Sequence, residues 1–129
     1  MKLNKKNKLP AAFSLVEMLV VIAVIGVITA IAVPQIANIN SKATVGKDRR
    51  NAQNIASVVA AAQAAGHDFL VGNATLAAVV TAVVAGDSPT TGPFAGTLFG
   101  IQGMDPTDQT GALTYLKILN AQLVYDPTF

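Results

Sequence analysis

Glu17 is the first side chain in the chain that could do chemistry, because it stands alone. No other charge lies between Lys8 and Lys42, and residues 18–41 form a run of 24 without one. A carboxylate inside such a run costs on the order of 3 kcal/mol if the run lies in a bilayer, so it requires a partner. On its N-terminal side, Lys2, Lys5, Lys6 and Lys8 supply four of the nine basic residues with no acid among them. A second charged group, Lys47, Asp48, Arg49 and Arg50, interrupts a later apolar pattern. It reads either as a solvated face or as a patch that meets acidic groups on a partner or nucleic acid. No aromatic residue stands beside it to stack a base.

The remaining candidates are sparse. His67 is the sole histidine, and it falls just past an expected helix end, where a surface or capping role outweighs that of a ligand or general base. None of Ser14, Ser41, Ser57 or Ser88 sits in a nucleophile-elbow pattern. Gly46-Lys47 lacks the glycine spacing of a phosphate-binding loop. Asp105, Asp108 and Asp126 have the chemistry for calcium but not the spacing of an EF-hand loop. Helix capping accounts for the first two. With 0 cysteines there is neither a disulfide framework nor a thiol nucleophile. No metal, no cofactor and no enzymatic activity are expected.

The elements that carry these residues follow from composition. The chain has 129 residues, enough for one domain, with 52% hydrophobic and 12% charged residues. The low charge excludes a disordered chain or a charged nucleic-acid tail. Beyond the first twelve residues the count is five basic against seven acidic, so the basic balance belongs to the leader. The densest apolar part, residues 18–33, makes a helix of roughly 24 Å, short for a bilayer core of about 30 Å. Beginning at Phe13 lengthens it to roughly 31 Å and brings Glu17 inside. The lysines ahead of it hold the N-terminus in the cytoplasm. Two readings fit this layout. A secretory signal cut after Ala32 would release residues 33–129 as a small binding module. A cut ahead of the apolar stretch would keep the helix in the mature protein and give Glu17 a role.

The segment Lys8-Leu9-Pro10-Ala11-Ala12, followed by Phe13-Ser14-Leu15-Val16-Glu17-Met18 and an apolar run through Gly26, resembles the N-terminus of type IV pilins and type II secretion pseudopilins. The resemblance covers about 30 residues. It implies cleavage by a prepilin peptidase between Ala12 and Phe13 and N-methylation of Phe13. The family most often carries glycine before the cut, where this chain has Ala12. The resemblance further implies that Glu17 serves subunit assembly by pairing with the terminal amine of a neighbour, and that Pro34 kinks the helix. The expected partners are copies of the chain and related minor subunits, the peptidase and an inner-membrane assembly platform. Nucleic acid is not expected. The precursor belongs in the bacterial inner membrane, N-terminus inside, and the mature chain in an envelope or extracellular filament. A type II secretion pseudopilin is favoured over a type IV pilin, since the C-terminal cysteine pair of many pilins is missing. A DNA-uptake minor pilin has only the Lys47–Arg50 cluster in its favour.

The expected fold class is α+β. A leader occupies residues 1–12, a membrane-spanning assembly helix 13–34, its amphipathic continuation 35–65, and a small head 66–129 packed on the helix. Ile36, Ile39 and Ala43 form one apolar stripe, which faces filament neighbours in this reading. Val45, Ala52, Ile55, Val59 and Ala62 form another that seats the head. Gly66 stops the helix. Asn73 is expected to cap a helix over residues 74–84, although Asn73-Ala74-Thr75 also has the form of a glycosylation sequon. Residues 87–96 read as a loop and 97–101 as a strand. Asp105 and Pro106 should open a helix reaching about Tyr115. Residues 116–119 and 122–125 should make an antiparallel hairpin across Asn120-Ala121.

Overall fold

A computed structural model describes residues 13–128. The element order is α1 (Leu15–Ala64), α2 (Leu76–Ala85), α3 (Pro106–Leu113), β1 (Leu116–Leu119) and β2 (Gln122–Tyr125). This is an α+β chain with a 50-residue N-terminal helix and one two-stranded antiparallel sheet. The described chain divides after Asn40 into two units.

In the first unit, α1 is long and apolar enough to cross a membrane. Its large side chains, including Leu15, Ile22, Ile28 and Ile36, are exposed. The Thr29 hydroxyl donates to the Ile25 carbonyl at 2.6 Å, which satisfies the hydroxyl within the apolar stretch. Pro34 lies inside the helix. Proline lacks an amide hydrogen, so the Ala30 carbonyl is left without its ordinary donor.

The second unit is built on the amphipathic part of α1. Ala52, Ile55, Val59 and Ala62 are fully buried, and their three- and four-residue spacing makes one stripe. Against it stand Val79, Val80 and Val83 of α2, together with Phe69, Ala112, Tyr115, Leu116 and Leu123. Each fully buried Ile or Val side chain contributes about 1.5–3 kcal/mol relative to exposure. Val45 is a correction to the expected stripe. It is 39% exposed and lies among Ser41, Lys42 and Arg49, because the cover begins one heptad later, at Ala52.

Helix α1 ends as expected. The amide of Gly66 donates to the Gln63 carbonyl and that of His67 to the Ala62 carbonyl, with Gly66 at φ 90°. This double closure needs a left-handed residue, which glycine adopts without a steric cost.

Two local expectations are corrected. The cap of α2 is Thr75, not Asn73: Thr75 has extended backbone, and its hydroxyl accepts from the Ala78 amide at 3.2 Å. Asn73 is already committed to the preceding turn, where its Nδ2 donates to the Phe69 carbonyl at 2.9 Å. Residues 97–101 form no strand. They make one isolated bridge, Asp87 with Phe99, and the Ile101 amide donates to the Val83 carbonyl at 3.0 Å. That donor closes the end of α2 rather than extending a ladder.

Helix α3 opens as its residues dictate. The Asp105 carboxylate accepts from the Thr107 amide at 2.8 Å and Pro106 takes the first helical position. It stops at Leu113, two residues short of the expected end. The hairpin pairs Leu116 with Tyr125 and Leu119 with Gln122, the expected strands in the expected order. Its turn residues, Asn120 and Ala121, both have positive φ (51° and 60°), the conformation of a tight two-residue hairpin.

Candidate functional site

The N-terminal segment places its residues in a defined order. Phe13 precedes the helix and is 79% exposed, whereas Ala12, on the other side of the expected cut, lies outside the described residues. Ser14 caps α1. Its hydroxyl accepts from the Val16 amide at 3.3 Å, while the Glu17 carboxylate accepts from the Ser14 amide at 2.8 Å. This reciprocal arrangement is a capping box. The signal is present in the sequence, since Ser14-Leu15-Val16-Glu17 has the serine and glutamate three residues apart.

The box fixes where the carboxylate sits. Glu17 folds back toward the start of its own helix, one residue from Phe13, at the positive end of the helix dipole. It remains exposed. Only one contact is spent on Ser14, so a carboxylate in this position keeps acceptor capacity for a cation beyond the helix end.

The other sequence candidates are engaged elsewhere. Lys47 pairs with Asp108 at 2.6 Å, and that carboxylate raises the Lys47 pKa above its ordinary value. The Arg49 guanidinium lies 5.3 Å from the centre of the Tyr115 ring, a cation–π distance. The Lys47–Arg50 cluster is therefore partly an attachment between α1 and the elements around α3. Asp105 caps α3, and the Thr107 amide and hydroxyl hold its pKa below the ordinary carboxylate value. Asp126 pairs with Lys117 and accepts from the Thr128 amide at 3.1 Å. The Lys117 ammonium, followed by the two Thr128 donors, brings the Asp126 pKa down to about 2. These three acids thus point to three separate tasks. Among the described residues no three histidine or acidic side chains gather as a metal site would require. His67 continues the α1 cap, with Nε2 3.5 Å from the Asp87 carboxylate and its ring edge-to-face with Phe69 at 4.7 Å.

Residues 8–33 match the model of the prokaryotic N-terminal methylation motif, the signature of type IV pilins and pseudopilins. The matched stretch, about a fifth of the chain, contains Glu17 and the beginning of α1. It supports a type IV pilin-like or pseudopilin precursor. No curated protein and no solved structure matches the chain.

Proposed function

We propose that the chain is a structural subunit of a type IV pilus-like filament, and specifically a pseudopilin of a type II secretion system. The observation that carries this reading is the methylation motif over residues 8–33 laid on the apolar first part of α1, whose large side chains, among them Leu15, Ile22, Ile28 and Ile36, are exposed. Residues 1–12 are the leader, 13–34 the membrane and assembly helix, 35–65 its continuation and 66–129 the head. A prepilin peptidase cuts between Ala12 and Phe13 and methylates Phe13. The precursor waits in the inner membrane with its N-terminus inside. An assembly platform then extracts it, and the helices bundle with other copies and with minor subunits.

Glu17 supplies the register. The bundle excludes water, and there a carboxylate gains from meeting the charged amine of an adjacent Phe13, since an unpaired buried acid is costly. Pro34 gives the bundled helix a point at which to bend. The chain's role is mechanical and has no catalytic step.

The mature N-terminus tests this directly. Mass spectrometry of protein from the host envelope should find a chain beginning at N-methylated Phe13. A chain beginning at Val33 would sink the reading and leave a secreted module. Deleting the chain from its host should retain exoproteins in the envelope. Loss of surface fibres with secretion intact would instead assign it to a type IV pilus.

A further inference from the structure

The apolar seat of the head on α1 begins at Ala52. Among the described residues, the buried core takes Ala52, Ile55, Val59 and Ala62 from this helix and nothing from residues 41–51. Val45, the one large apolar side chain in that stretch, is 39% exposed. Thr44, Val45 and Gly46 are also weak helix formers. The stretch therefore has neither apolar burial nor intrinsic propensity to hold it in place.

Three consecutive polar side chains hold it instead. The Lys47 ammonium meets Asp108 of α3 at 2.6 Å, with the lysine 59% exposed, and Asp105 and Asp48 add their negative charge around it. The Asp48 carboxylate lies over Gly111 of α3, so close that a Cβ there would stand 2.3 Å from its Oδ1. The Arg49 guanidinium covers the ring of Tyr115, just beyond α3. Contacts of this kind weaken with salt, because the screening length falls from about 10 Å at 0.1 M to about 3 Å at 1 M. The burial of Ile55 and Val59 owes nothing to charge.

We propose that Lys47, Asp48 and Arg49 form a salt-releasable strap that holds residues 41–51 of α1 on α3, and that this segment opens by itself while the core from Ala52 onward stays closed. Proteins open in such local units where apolar contacts are few and backbone hydrogen bonds lie near solvent. The strap stands without the polymer reading. If the chain is drawn out of a membrane as that reading requires, the segment ahead of the core yields first and the head stays folded.

Hydrogen exchange followed by mass spectrometry tests this on the full chain in a nonionic detergent. Raising the salt from about 0.1 M to about 1 M should speed exchange of amides 44–50 about tenfold and leave those of 55–62 unchanged. At low salt, K47M with R49M should reproduce the high-salt rate, since methionine keeps the long stem and the helix propensity but carries no charge. G111A should also release the segment, because its Cβ displaces Asp48, even though alanine favours α3 itself. Amides 44–50 that exchange at the same rate at both salt concentrations, or whose rates rise only together with those of 55–62, would overturn the proposal. The salt comparison needs no variant, so it decides the matter even where a substituted chain fails to fold.

Discussion

The Glu17 carboxylate stands 2.8 Å from the Ser14 amide and closes the first turn of α1 from within. The same group therefore has two tasks, a local one in starting the helix and a second one in meeting a neighbour. The two can be separated, because glutamine completes a capping box as glutamate does but carries no charge. The E17Q variant is expected to insert, to be cut at Phe13 and to keep its helix by circular dichroism, yet to yield few filaments. Normal filament yield would mean that the charge is dispensable and that the cap is the whole of its role.

A second prediction concerns the approach of Gly100 to the end of α2. A Cβ on Gly100 would lie 2.6 Å from Gly86 Cα and 2.9 Å from the Val83 carbonyl oxygen, both backbone atoms that cannot swing away. G100A should lower stability by about 2 kcal/mol through overpacking. G46A serves as its contrast: the helix interior there is open, so alanine should be neutral or stabilising by up to about 1 kcal/mol. Urea unfolding of the full chain in detergent compares the two, and equal midpoints would contradict the close approach.

Acid should loosen the hairpin end. The Asp126 pKa falls from 3.8 to about 2 in the folded chain. A depressed carboxylate pKa stabilises the fold above the unfolded value, and that contribution is lost as pH falls through the folded one. D126N should therefore melt below the unmodified chain at neutral pH, with the gap narrowing between about pH 4 and pH 2. A gap that stayed constant across that interval would show that the Lys117 pair contributes nothing through charge.

The regular elements were legible in the sequence where their signals are local. Gly66 announces the end of α1, Asp105-Pro106 the start of α3, and alternating apolar residues around Asn120-Ala121 the hairpin, although alanine is an unusual residue at φ 60°. What was not legible depends on partners distant in sequence. Asn73 and Thr75 are both good caps, and the choice was made by the Phe69 carbonyl, which claims the asparagine. Residues 97–101 have strand composition, but whether a strand forms depends on an available edge, and here Phe99 bridges only Asp87 while the Ile101 amide goes to the Val83 carbonyl of α2. At the N-terminus the motif was readable because residue types at fixed offsets define it.

The core of the second unit has a spectroscopic consequence. The chain has no tryptophan and only two tyrosines. Tyr115 is buried beneath Arg49 and Tyr125 is half-buried in β2. All intrinsic emission excited at tyrosine wavelengths therefore originates from the hairpin and its surroundings, and the apolar half of α1 contributes none of it. A fluorescence titration reports on the head alone, while circular dichroism is dominated by the helix. Comparing the two signals on the same sample shows whether both units come apart in one step.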